Sequence, residues 1–277
     1  MENRRRTLEA LLKNAILLTR ETQTPAPGAS KIGGKPYVPR DFVWPTYTSL
    51  GEECPLSLVA QINLAEAAPY DTESVLPAAG MLYFFYEFSS MRWGYDPADE
   101  GCAQVIYTDR PVSELAEAAY PETLDPDYIV PESALRFACR RSLPDYFEEL
   151  ELFWPGGREQ LTSGEYWDES EALGALEDID AGDIFRLLGY PHPTQGSVLR
   201  ESEMVSEGIN CGGAVKLDAQ QKAEIAAKSA EWVLLGQFGT LSDSLMFGDC
   251  GAIYYCIRRA DLEARRFDRI HLTLQCG

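Results

Sequence analysis

A β-rich α+β fold, roll-like and contained in a single domain over residues 1–277, is what this sequence predicts. Three observations lead to it. Short apolar runs bounded by glycine and proline recur along the chain, which is the pattern of strands rather than helices. Alternation of apolar and polar residues marks further half-exposed strands, at 135–140 and 269–276. The third observation is a repeat. Leu58-Val59-Ala60-Gln61-Ile62 is followed by Gly80-Met81-Leu82-Tyr83-Phe84-Phe85. Leu234-Leu235-Gly236-Gln237-Phe238 is followed by Gly251-Ala252-Ile253-Tyr254-Tyr255-Cys256. Each copy closes on another strand, at 104–107 and 270–275. The expected architecture is therefore two pseudo-repeated β halves, about 56–108 and 232–276, sharing one core, with a few peripheral helices. Chance likeness of short apolar strands is the competing explanation.

The elements follow in order. Leu8, Leu11 and Leu12 at helical spacing predict a short helix over 7–13, and 15–19 is strand-like. Pro25-Ala26-Pro27-Gly28 breaks the chain, and turn chemistry continues through Gly33-Gly34 to Trp44-Pro45. Strands are expected at 56–64, 81–88 and 103–108, the first apolar on both faces as a buried strand is. Ser113 is placed as the cap of a short helix to 119. Another helix is expected near 169–176 within an acidic loop. Asp218 caps the clearest helix, 219–230, rich in Ala, Gln, Lys and Glu. Strands at 232–238, 252–257 and 269–276 complete the chain, with a helical turn at 260–264.

The net charge is −20, and most of it is local. Residues 114–183 hold 19 Asp and Glu against four Arg and no Lys, a balance of −15. This acidic insert repels nucleic acid and anionic membranes, which are bound through Lys and Arg. A charged partner should therefore be a basic protein, although an acidic face also serves solubility alone. No apolar run approaches the roughly 18 residues of a membrane span. Glu9 and Lys13 interrupt any signal-peptide core after Arg4-Arg5-Arg6. Seven cysteines without repeated tight spacing read as reduced thiols, which places the protein in the cytoplasm.

Chemistry is harder to find. The two histidines are His192, between two prolines, and His271, on the outward side of an alternating strand and so expected to be exposed and inert. No Gly-x-Ser-x-Gly elbow, zinc spacing, dinucleotide fingerprint or Walker pattern is present. Gly33-Gly34-Lys35 is followed by Pro36 and reads as a tight turn. Asp178 to Asp183 resembles a calcium loop but lacks its glycine and closing glutamate. No catalytic residue, metal site or cofactor is expected. The sharper oddity is Gln61 and Gln237, each at the end of an apolar strand. A buried amide must satisfy several hydrogen bonds, so the pair either ties loops to the core or lines a pocket between the halves. With Gln195, Asp249, Trp44 and His192 they make up the candidate ligand-binding set.

Ser30 to Pro36 with Trp44-Pro45, Pro55-Leu56, Gln61 to Leu64 and Gly80 to Phe85 resemble the bacterial YwqG-like proteins, a family of uncharacterised function. So do Leu188 to Pro191 with Gln195-Gly196, and Trp232 to Gln237 followed by Asp249-Cys250-Gly251. The resemblance implies a single β-rich α+β domain with an internal duplication, in the bacterial cytosol. Some members lie near secreted-toxin genes. The expected function is non-catalytic binding of a basic protein partner through the acidic surface, in an immunity-like role. A small-molecule receptor or enzyme with a polar and aromatic cleft between the halves is the alternative.

Overall fold

Strands that are apolar on both faces must be covered on both, and this chain covers them by curling one long sheet around a core and laying helices outside it. The computed structural model describes residues 2–49, 51–176, 180–242 and 244–277. In chain order the elements are α1 (Glu2–Leu11), β1 (Lys13–Glu21), β2 (Lys31–Ile32), β3 (Tyr37–Val38), β4 (Thr46–Ser49), β5 (Glu52–Pro55), β6 (Ser57–Asn63), α2 (Leu64–Ala67), β7 (Met81–Tyr86) and β8 (Ala103–Thr108). There follow β9 (Ala116–Glu117), β10 (Ser133–Ser142), α3 (Leu150–Phe153), α4 (Gly157–Gln160), α5 (Ser163–Ala172) and β11 (Phe185–Leu188). The chain ends with α6 (Val198–Ser206), α7 (Ala219–Ser229), β12 (Trp232–Phe238), β13 (Ala252–Arg258), α8 (Arg259–Glu263) and β14 (Ile270–Gln275).

Ten strands form one antiparallel sheet in the order β14-β13-β12-β11-β1-β10-β2-β6-β7-β8. The two expected meanders are its two wings. β1 and β10 join them at the centre, paired from Lys13 with Ser142 to Glu21 with Ala134. The sheet curls until the outer edges of β8 and β14 nearly meet. Its interior is filled from both wings: Phe84 packs edge-on against Phe238 and Tyr255, each at 5.1 Å between ring centroids.

The wings carry like devices at corresponding places. A bulge lies between Leu58 and Ala60 in β6, and another between Leu234 and Gly236 in β12. β2 opposes Lys31 to Gln61, and β11 opposes Arg186 to Gln237. Each of these two strands leads into a left-handed residue pair, Gly33 and Gly34 at φ +57° and +69°, and Leu188 and Gly189 at +60° and +73°. A Cβ on Gly33 would also stand 2.3 Å from the Val130 carbonyl oxygen, so this turn requires glycine twice over.

Helices cover the outer face in two groups. α6 and its neighbours close over β12 and β13 through Val198, Leu199, Trp232, Leu234 and Tyr254. The acidic insert packs with α1 around its own small core of Leu8, Tyr146, Leu150, Leu161 and Tyr166.

Several expectations are corrected. The first helix ends at Leu11, and Lys13 already belongs to a nine-residue central strand. Ser113 is not a helix cap but lies inside a 3₁₀ turn, Val112–Glu114, and the chain then runs into β9, where Tyr37 and Val38 pair with it. The insert helix spans 163–172, since Thr162 caps it earlier than expected. Asp178, where the calcium-like stretch starts, lies outside the described residues.

Candidate functional site

The seam where the sheet fails to close is the natural place for a site, because it exposes strand edges and polar side chains from both wings. The Leu274 amide donates to the Trp93 carbonyl at 2.8 Å, and Phe267 packs on Tyr107 at 5.3 Å, so parts of the seam are sealed. Between them lies a groove of roughly 670 Å³, with Asp96, Glu100, Trp232, Arg258 and His271 among its walls. Beneath it Glu203 is fully buried. The Trp232 Nε1–H donates to it at 2.9 Å, and the Arg258 guanidinium pairs with it at 2.6 Å while lying 4.7 Å over the indole ring. Arg258 is thus held rigidly at the groove by a carboxylate and a ring.

His271 is not the exposed residue that strand alternation predicts. Burial lowers its imidazole from 6.5 to about 4, so it is neutral near pH 7. Its Nε2 is buried and has no hydrogen-bond partner. The reason is that α6 packs over this end of β14 and covers the face that a solvated strand would expose. Cys102, also on the groove wall, has its thiol pushed well up by burial and is a poor nucleophile at neutral pH. A fixed guanidinium with a neutral imidazole suits holding a small polar molecule more than it suits covalent chemistry.

The sequence-derived residues lie elsewhere. Gln61 is fully buried; its Oε1 accepts from the Tyr37 amide at 2.7 Å and its Nε2 donates to the Ala29 carbonyl at 2.8 Å. Gln237, equally buried, accepts from the His192 amide at 3.1 Å and donates to the His192 carbonyl at 3.5 Å. The Tyr83 and Tyr254 hydroxyls, one strand over, donate to the Tyr37 and His192 carbonyls. Both glutamines tie a loop to the core, and neither lines the groove. That removes them as pocket walls between the halves. Trp44 donates to the Leu56 carbonyl at 2.8 Å and packs on Phe85, as part of a small satellite core. Gln195 and Asp249 are exposed loop residues. The structure brings Gln237, His192 and Gln195 into one tied turn and leaves Gln61, Trp44 and Asp249 apart from it.

Other polar residues of this framework escape sequence reasoning. Gln275 accepts from the Thr194 and Gln195 amides and donates to the Gly196 carbonyl. Nothing in its alternating strand marks it. Lys31 is buried, bonded at 2.6 Å to both the Lys35 carbonyl and Glu132. Arg186 is buried against the Tyr190 carbonyl at 3.2 Å. Their shared position, a cation just before a left-handed turn, was the available signal.

The acidic insert presents a second surface. α5 bears Glu165, Asp168, Glu169 and Glu171, and the N-terminal arginines neutralise part of it: Arg4 meets Glu165 at 3.0 Å and Arg5 meets Glu169 at 3.4 Å. Asp168 and Glu171 remain exposed. Two aromatic side chains stand out on this surface, Phe147 at 56% exposure and Trp167 at 47%. Glu149, by contrast, is fully buried; it accepts from the Ser197 hydroxyl at 2.8 Å and the Leu199 amide at 3.3 Å, bridging the insert to α6.

Among the described residues no group of three or more His, Cys, Asp or Glu is placed to hold a metal ion, and no helix is long and apolar enough to cross a membrane. The family model described as a domain of unknown function (DUF1963) matches residues 30–276. No curated protein matches the chain.

Proposed function

We propose, for a chain that belongs to the DUF1963 family, a non-catalytic binding function in which the helical insert docks a basic protein. The observation that carries this is the pair of exposed aromatics, Phe147 and Trp167, on a separately cored element whose helix α5 also presents the exposed Asp168 and Glu171. Large exposed aromatic anchors with a charged rim are the composition of a protein-docking patch; Arg158 lies 5.5 Å over the Phe147 ring, so Trp167, which shares α5 with Asp168 and Glu171, is the anchor on the acidic side. Acidic complementarity would speed encounter and repel wrong partners. The residue-level resemblance to YwqG-like proteins fits this reading, with the protein cytoplasmic and a basic toxin as the partner in an immunity-like role. The matched bulges, turns and glutamine bonds of the two wings support an ancestral duplication, with the halves as framework and the insert as the functional addition.

The test compares affinity capture by the parent protein, Trp167→Ala and the doubly charge-reversed Asp168→Lys/Glu171→Lys. A basic protein held by the parent, lost by both variants and associating more slowly as salt rises is the expected result. Capture of acidic proteins only, or capture indifferent to both changes, would defeat the reading.

A second reading seats a small polar molecule in the groove between the wings. It is favoured by the unpartnered Nε2 of His271 beside the clamped Arg258. A metabolite screen by thermal shift should then find a compound whose stabilising effect disappears in Arg258→Gln.

A further inference from the structure

α5 carries four carboxylates, Glu165, Asp168, Glu169 and Glu171, and no cation of its own. Its buried side is Tyr166 and Ser170. Residues three and four apart are neighbours on a helix. Glu165, Asp168 and Glu171 therefore form one ridge, with Glu169 beside Glu165 and Trp167 beside Glu171. The ridge is about 9 Å long at helical rise, within the span of a single basic segment. It is divided in two. One half already holds guanidinium groups: Arg4 meets Glu165 at 3.0 Å, and Arg5 meets Glu169 at 3.4 Å and Glu9 at 3.1 Å. The other half, Trp167, Asp168 and Glu171, is exposed.

Both arginines come from α1, which belongs to the same body as α5. Leu8 of α1 is fully buried in the small core that also holds Tyr166. α1 therefore stays seated while the side chains of Arg4 and Arg5, 37% and 44% exposed, can turn into water. Glu165 cannot follow them. Its carboxylate accepts from the amide and the hydroxyl of Thr162, each at 2.9 Å. A pinned acid facing a movable cation is an arrangement in which an outside cation can take the place of the internal one.

We propose that Arg4 and Arg5 are an internal competitor for the basic partner: they cover the Glu165 and Glu169 half of the α5 ridge, and a partner seated on Trp167 and the open acids displaces them to reach that half. This rests on the docking function proposed above and adds its regulation. A weakly basic protein is held by Asp168 and Glu171 alone. A protein with an extended basic segment gains two further carboxylates by breaking two exposed ion pairs, each of them weak. The contact thus favours partners that are multiply basic, which is discrimination by an intramolecular decoy.

The probe is fluorescein-labelled octa-arginine, read by fluorescence anisotropy with the whole protein at low salt. Arg4→Gln and Arg5→Gln each uncover an α5 carboxylate. Arg6→Gln makes the same change of net charge on the same helix, but Arg6 pairs with Glu2. Arg4→Gln and Arg5→Gln should each bind the probe about two- to fivefold more tightly than Arg6→Gln, the range of an exposed ion pair. Adding Glu165→Gln to Arg4→Gln should abolish that gain; glutamine also completes a capping box, so α5 keeps its start. Binding by Arg4→Gln and Arg5→Gln no tighter than by Arg6→Gln would overturn the internal competitor. Loss of probe binding in Trp167→Ala and in Asp168→Lys/Glu171→Lys would in that case still uphold the docking surface. If neither of those two weakens the probe, the docking surface fails and the competitor falls with it.

Discussion

Gln61 and Gln237 illustrate how a buried amide organises a loop. Each is enclosed by apolar strand, and each places its oxygen and nitrogen on main-chain groups that would otherwise be unpaired in the core. Gln61→Leu should cost about 2–3 kcal/mol, because it strands the Tyr37 amide and the Ala29 carbonyl without partners. Denaturant unfolding at unchanged slope reads this; a loss below about 0.5 kcal/mol would show that water replaces the amide. Glu149 is the second residue whose burial has a measurable outcome. Burial raises its pKa from 4.5 to about 7 despite the Ser197 and Leu199 hydrogen bonds. Its folded value lies above its unfolded one, so its contribution is complete below pH 4.5 and is lost as the pH rises through 7. The stability of Glu149→Gln relative to the parent should therefore grow by about 3 kcal/mol between pH 4.5 and pH 8. Parallel stability curves for the two proteins over that range would show that this carboxyl is not held protonated.

At the scale of single elements, local chemistry was readable where its partners are local. Asp218 accepts from the Gln221 amide at 2.9 Å, and Gln221 returns the bond to the Asp218 amide at 3.0 Å, so α7 is bounded by residues three apart. Asp218→Ala should cost about 1 kcal/mol, measured by thermal unfolding at fixed pH, and Asp218→Asn much less. α6 escaped notice for the opposite reason. Its start is secured by Ser197 together with Glu149, a residue from the distant insert, and no sequence window contains both. β1 was read short because two polar residues, Lys13 and Asn14, stand at its head, one on each face of the sheet. The His271 expectation failed likewise, since alternation reports which side a residue faces and not what packs there.

For the whole molecule, one interior joins the two wings, so they should unfold together. Phe84 reaches across to Phe238 and Tyr255, and Phe84→Ala should cost about 3–5 kcal/mol while the transition stays single by circular dichroism and by tryptophan fluorescence. Two separated transitions would mean that the wings are independent units. The small core shared by α1 and the insert is the part able to loosen first, since it holds fewer buried side chains than the sheet interior. That would make the proposed docking surface more mobile than the framework beneath it.

The sequence by itself determined the two three-stranded meanders, the tight turn at Gly33 and Gly34, the cap of α7 and the concentration of negative charge in the insert. These depend on period-two patterning, backbone freedom and side-chain reach over a few residues, all of which are local. Only the tertiary structure decided that β1 and β10 join the wings, that β8 and β14 face each other across a groove, that the glutamines bind loops, and that Lys13 rests on aromatic rings. Each of those depends on segments far apart in the chain, brought together by the twist and curl of a sheet whose packing is summed over the whole molecule.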